Sequence, residues 1–184
     1  MSQFIASVEQ LTALRDQICR QQAEQQAGGS KQVRICMGAS CIASGSSRVK
    51  AALEEEVAAR GMLDDVAIIE TGCMGPCSGG PVLMVDDVFY ERVRPEDCGE
   101  IASQHLINGQ IVQRILHRRP DGRAVAQAKD LDFFRRQTKV VLRNCGRIDP
   151  RKIEDYIGCD GYLGLAKVLR EKNAEGVIAA MKAA

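Results

Sequence analysis

Tryptophan is missing from this chain, and only four Phe and three Tyr supply aromatic rings. Little is left for stacking on nucleic-acid bases. Net charge is +1, and no long run carries one sign, so neither the phosphate backbone nor an anionic membrane surface is an expected partner. No stretch approaches the roughly 20 apolar residues that a membrane span requires. The first ten residues lack the basic region and apolar run of a secretory signal. Histidine occurs only twice, at His105 and His117, and neither stands beside a candidate nucleophile as a general base. These shortages describe a cytoplasmic protein without a nucleic-acid partner or a membrane span. Both histidines are expected to be bland surface or helix-end residues.

Cysteine, by contrast, is plentiful: eight in 184 residues. In a reducing compartment disulfides are rare, so metal or redox chemistry is the expected use. Spacing sorts the eight. Cys36 and Cys41 form one close pair within Cys36-Met37-Gly38-Ala39-Ser40-Cys41, and Cys73 and Cys77 form another within Cys73-Met74-Gly75-Pro76-Cys77. Cys19, Cys98, Cys145 and Cys159 stand alone, and lone cysteines are expected to be small buried hydrophobes.

The surrounding pattern predicts where the pairs lie. Phe4, Val8, Leu11, Leu14, Ile18 and Cys19 recur at helical steps, giving a helix over 4–25 whose apolar stripe needs a neighbour. Gly28-Gly29-Ser30 closes an N-terminal segment of residues 1–30. A strand over 32–36 ends at the first thiol. A helix follows through Arg60, with Ser44, Ser46 or Ser47 as N-cap and Val49, Ala52, Leu53 and Val57 on its inner face. Glu54, Glu55 and Glu56 turn to water, and Gly61 ends the helix. A second strand over 66–70 stops just before Cys73. Strand, crossover helix and strand make a right-handed parallel unit, with both carboxyl ends on one edge. If the strands pair, directly or with one between, all four thiols meet there.

Pro81–Val85 and Val88–Val93 read as a hairpin turning at Asp86-Asp87. Pro95 opens a helix to Ile107, with Cys98, Ile101 and Leu106 inward and Asn108-Gly109 as its stop. The order β-α-β-β-β-α over residues 31–116 matches a thioredoxin-like α/β sandwich. A domain this small is marginal on core burial alone, so metal ligation is expected to add to its stability. Residues 117–131 are polar and rich in turn formers, a linker in which Arg118-Arg119 either steer an anionic partner or are simply solvated. Beyond it, 132–184 reads as mostly helical. Asp149-Pro150 starts one helix with Ile153 and Tyr156-Ile157 inward, Gly161-Tyr162 leads a second, and Asn173 caps a third. This tail is too interrupted to enclose a core by itself.

Soft thiolates select zinc, copper(I) or iron–sulfur clusters. The wide separation of the two pairs is looser than in usual zinc ribbons, yet each pair alone stays within zinc spacing. Gly38, Ser40, Gly72, Gly75, Ser78 and Gly79 would let backbone N–H groups approach sulfur, and Met37, Met74 and Pro76 would keep water away. Both details favour a [2Fe–2S] cluster, whose potential depends on burial and on hydrogen bonds to sulfur. A non-redox zinc-binding interaction module is the alternative. Thioredoxin-type exchange is disfavoured, because no Cys-x-x-Cys is present.

The segments Ile35–Cys41 and Glu70–Pro81, with Tyr90-Glu91-Arg92-Val93 and Pro95-Glu96-Asp97, resemble the thioredoxin-like [2Fe–2S] ferredoxin domain. That domain is fused to the NADH-oxidising flavoprotein subunits of NAD-reducing and bifurcating hydrogenases and of NAD-dependent formate dehydrogenases. Residues 141–150 and 161–167 resemble the start of the flavoprotein part itself, related to the NADH-binding subunit of NADH dehydrogenase. The resemblance implies one [2Fe–2S] cluster on Cys36, Cys41, Cys73 and Cys77, and 132–184 as the truncated start of an NADH/FMN-binding domain. It implies partners among the flavoprotein and iron–sulfur subunits of such complexes. In that family the glycine-rich FMN and NADH loop follows the position of Ala184, so FMN and NADH are expected only in a full-length relative or a partner. The chain is then an electron-transfer module, not catalytic alone.

Overall fold

The computed structural model describes residues 5–171 and 173–184. Two units emerge: residues 5–25 with Arg151–Ala184, and Gln26–Pro150.

In the larger unit, the alternation in Lys-Gln-Val-Arg-Ile-Cys buries Val33, Ile35 and Cys36 and forms strand β1, Lys31–Cys36. Helix α2, Ala39–Ala43, follows directly and carries Cys41 on its buried side. Helix α3, Ser46–Ala59, presents Val49, Leu53 and Val57 inward, each at most 1% exposed, while Glu54 pairs with Lys50 and Glu56 with Arg60. Strand β2, Val66–Thr71, returns parallel to β1, with Lys31 opposite Val66 and Cys36 opposite Thr71. Strands β3, Leu83–Val85, and β4, Val88–Tyr90, form the hairpin around Asp86-Asp87, with β3 antiparallel to β1. Sheet order is β2-β1-β3-β4. The strand–helix–strand crossover expected from the sequence therefore joins neighbouring strands, and both cysteine loops leave the same edge.

Side chains alternate across this sheet. Val33, Ile35, Leu83, Val85 and Tyr90 face a core closed by α3 and by a helical stretch that starts with a turn at Pro95–Asp97. That stretch continues as α4, Cys98–Glu100, and as a π-helical segment, Ile101–Ile107. Met84 and Phe89 face the opposite way and pack with Cys36, Cys41, Met74, Val82, Val125 and Leu131. This second cluster explains a departure from expectation. Part of the polar segment 117–131 forms a small hairpin of β5, His117–Arg118, and β6, Ala124–Val125. Single bridges Val88–Gln127 and Tyr90–Leu116 hold the segment against the sheet. Apolar Val125 and Leu131 cover a sheet face that would otherwise stay wet.

Several local expectations change. The N-cap of α3 is Gly45, at φ 103°, and no serine side chain caps it; Ser46 is fully buried and its hydroxyl donates to Met37 Sδ at 3.6 Å. The hairpin strands are shorter than expected, since Arg92 adopts φ 53° and leaves the extended region. His105 lies in the last turn of its helical segment, as expected, but it is buried, and its Nδ1 lies 2.8 Å from the Tyr90 hydroxyl. Of the lone cysteines only Cys98 is buried; Cys19, Cys145 and Cys159 are half-exposed. Asp149 is buried and does not cap the next helix, whose N-cap is Lys152.

In the smaller unit, α1, Val8–Ala27, buries Leu11 and Ile18 against Ile157 and Ala166. Phe4, expected on this stripe, lies outside the described residues. The partners belong to two further helices. Counting the short α5, Asp132–Arg135, in the larger unit, these are α6, Ile153–Gly158, and α7, Leu163–Glu171. Ile153 and Tyr156 stay exposed, so α6 contributes Ile157 alone to the core. Arg15 and Asp160 pair at 2.7 Å. Helix α8, Ala174–Ala183, is capped by Asn173, whose Oδ1 accepts the Gly176 N–H at 2.8 Å, as its sequence suggests. No helix among the described residues is long and apolar enough to cross a membrane.

Candidate metal centre

Cys36 ends β1 and Cys41 lies one turn into α2, both 1% exposed. Cys73 and Cys77 flank the loop after β2 and are exposed. Their Sγ atoms stand 3.8 Å apart. That is the edge length of a tetrahedron of sulfurs around one metal ion with bonds of about 2.3 Å. Cys36 lies close enough to Cys41 to raise its pKa, and Cys77 interacts electrostatically with both. All four sequence-singled cysteines are thus brought to one edge, two as a buried pair and two as an outer pair. Among the described residues no group of three or more Cys, His, Asp or Glu converges on a single ion position.

Backbone completes the cradle. A Cβ added to Gly38 would lie 3.1 Å from Cys73 Cβ and 3.5 Å from Cys36 Sγ; one added to Gly80 would lie 3.2 Å from Cys41 Sγ. A side chain at Gly38 or Gly80 would therefore need its neighbours to give by a few tenths of an ångström. The two loops are stitched further by Met37 N–H donating to Thr71 O at 2.9 Å and by Cys36 N–H donating to Val82 O at 3.1 Å. Met74 is 3% exposed and Phe133 lies over Gly75, so apolar groups limit water around the outer pair.

Burial pushes the Cys41 thiol up to about 11, reinforced by Cys36, while a backbone hydrogen bond from Val82 acts the other way. Cys77 is also raised, chiefly by its hydrogen bond with Cys73 and then by that thiol's charge. Cys41 and Cys77, both held towards the neutral thiol, become thiolates more readily with a cation beside them. The donor set is all sulfur, and Val82 N–H already points at one of the sulfurs. This is the environment that iron–sulfur cores take.

Comparison with known proteins agrees with this geometry. Residues 21–105 match the thioredoxin-like [2Fe-2S] ferredoxin family, and a [2Fe-2S] ferredoxin of Aquifex aeolicus is 40% identical over 80 residues, 42% of this chain and 72% of that protein. The chain belongs to the thioredoxin-like [2Fe-2S] ferredoxin family. A solved structure of the Aquifex aeolicus ferredoxin covers 47% of this chain and 88% of its own, at 34% identity and a TM-score of 0.44. Subunit HndC of the NADP-reducing hydrogenase of Solidesulfovibrio fructosivorans is 54% identical over 43 residues, 23% of this chain and 9% of that subunit.

Within this ferredoxin unit, sequence reasoning singled out Gly38 for close approach to sulfur but not Gly80, and it gave Phe133 and Val82 no part in the site. A neighbouring glycine signals only permissiveness. Phe133 and Val82 are distant in sequence from the loops they serve, and only the folded chain brings them there.

Proposed function

We propose that this chain is an electron-transfer module in which Cys36, Cys41, Cys73 and Cys77 hold one [2Fe–2S] cluster, working within an NAD-linked oxidoreductase complex. The observation that carries the reading is the meeting of the two cysteine pairs at one sheet edge, through parallel pairing of β1 and β2. When bound, such a cluster takes up and gives back single electrons. The chain's own residues determine what surrounds it. Cys36 and Cys41 anchor it in a dry wall with Met74, Val82, Met84 and Phe89. Exposed Cys73 and Cys77 form the side nearest solvent, where a redox partner would approach. Gly38 and Gly80 admit the loops close together, and Val82 N–H stabilises negative charge on sulfur.

The likeness to part of a hydrogenase subunit supports a setting among flavoprotein and iron–sulfur subunits of a hydrogenase, formate dehydrogenase or NADH dehydrogenase. In this reading residues 132–184 begin a flavoprotein segment, and FMN and NADH sit on a full-length relative or a partner. The paired arrangement gives no specific support to the zinc alternative.

The test is reduction of the anaerobically purified chain by NADH, with and without an NADH-oxidising flavoprotein subunit. The expected result is no bleaching of the visible charge-transfer bands by NADH alone and stoichiometric bleaching when the flavoprotein is added. Bleaching by dithionite only, whichever flavoprotein is supplied, would confine the protein to another redox chain.

A further inference from the structure

A second feature of the larger unit is a cleft of about 580 Å³, on the sheet face bearing Met84. Six cations line it: Arg34, Lys129, Arg135, Lys139, Arg143 and Arg147. Asp87 is the one carboxylate among the lining residues. Arg135 pairs with Asp132 at 3.2 Å, and Lys139 Nζ sits 4.8 Å above the Phe134 ring. No ion pair reaches Lys129, Arg143 or Arg147 among the described residues. Like charges gathered in a concave site repel one another, and that arrangement is costly unless an anion shares it.

Arg34 identifies what kind of anion. Its side chain is only 14% exposed. One guanidinium nitrogen donates to the Asp86 carbonyl and lies 3.9 Å from the Asp87 carboxylate. Its Nε, however, is buried and has no hydrogen-bond partner among the described residues. A buried N–H without an acceptor is destabilising, and a ligand that accepts from it relieves that cost. An acceptor that reaches such an atom must be small enough to enter the cleft, which a flat acidic protein surface is not. Arginine forks match the spacing of phosphoryl oxygens. Met74, Met84 and Phe134 supply an apolar part of the wall. A volume in this range is usual for small-molecule sites.

We propose that this cleft binds an organic phosphate of nucleotide size, with its phosphoryl groups on Arg34, Arg143 and Arg147 and its apolar body against Met84 and Phe134. None of the four thiols lines the cleft, and the proposal does not depend on the cluster reading.

The test is calorimetric titration of the full chain at about 0.15 M salt with inorganic pyrophosphate, adenosine 5′-diphosphate and an oligoglutamate peptide. Saturable one-to-one binding of pyrophosphate is expected, with the nucleotide at least fivefold tighter. Arg147→Gln, at an exposed position, should weaken both at least tenfold, and Arg34→Gln likewise. Lys182→Ala on α8 should change neither. Absence of saturable binding, or equal affinity in Arg147→Gln, would overturn the proposal. So would oligoglutamate binding that is tighter than that of pyrophosphate and displaces it, since the cleft would then be a protein-docking face. Because heat of binding is read with or without iron, failure here leaves the cluster question untouched.

Discussion

Gly38 and Cys73 meet across the gap between the two cysteine loops: a Cβ on Gly38 would stand 3.1 Å from Cys73 Cβ and 3.2 Å from its Cα. Neither neighbour is the free end of a flexible side chain, so a larger residue must move backbone. Gly38→Val is expected to push the loops apart. Such overpacking costs about 1–3 kcal/mol, and it should leave far-ultraviolet circular dichroism unchanged while at least halving the iron bound per chain. Full iron content in this variant would show that the loops need not approach so closely.

Phe133 places its ring over Gly75, where an added Cβ would come 2.5 Å from Cε1. The ring is 43% exposed, so Phe133→Ala removes only part of a buried side chain and should cost about 1 kcal/mol or less. Its effect should fall instead on access to Cys73 and Cys77. Loss of iron to an external chelator is expected to quicken several-fold in stopped-flow absorbance. An unchanged rate would remove Phe133 as a water shield.

Unequal burial of the thiols should appear in alkylation of the metal-free chain at pH 8. Cys73 and Cys77 are exposed, whereas Cys36 and Cys41 are buried and burial holds Cys41 at about 11. The thiolate is the reactive species. Mass spectrometry should find iodoacetamide on the outer pair first, on Cys41 much later, and last on Cys98, fully buried and pushed to about 12 by burial. Uniform labelling of all four loop cysteines would mean that the fold of the site forms only around its metal.

Much of this was readable from residue order alone. The alternation in Val33-Arg34-Ile35-Cys36, the stripe Val49, Leu53 and Val57, and the run Val66–Glu70 suffice to place both thiol pairs at one edge, because parallel pairing leaves few topologies open. What stayed hidden arises from distant contacts. The segment 117–131 looks polar in sequence, yet its sparse apolar members Val125 and Leu131 close a sheet face. The serines before α3 suggested a cap, but burial of Ser46 beneath Met37 takes its hydroxyl elsewhere. Nothing local to His105 announces Tyr90 as its partner.

That buried pair sets a pH dependence. Burial, aided by the charge of Lys31, lowers the His105 pKa below its ordinary value near 6.5. The unfolded chain therefore binds a proton at a pH where the folded chain does not. The corresponding stability is fully present above about pH 6.5 and is lost progressively as pH falls below it, towards the folded pKa. Urea midpoints should drop between pH 7 and 5 in the native chain, and the His105→Asn variant should show a shallower decline. Tyr90→Phe, which leaves His105 Nδ1 and the Val112 N–H without the hydroxyl, should cost about 1–3 kcal/mol at pH 7. A native midpoint independent of pH across this window would contradict the linkage.

The central claim, that Cys36, Cys41, Cys73 and Cys77 jointly hold one two-iron core, is tested most directly by native mass spectrometry of the anaerobically purified chain. The expected spectrum shows the mass of a single core of two irons and two sulfides, lost when Cys36 and Cys73 are each replaced by Ala. One zinc ion per chain, or a bare polypeptide that takes up no iron and sulfide on reconstitution, would contradict it.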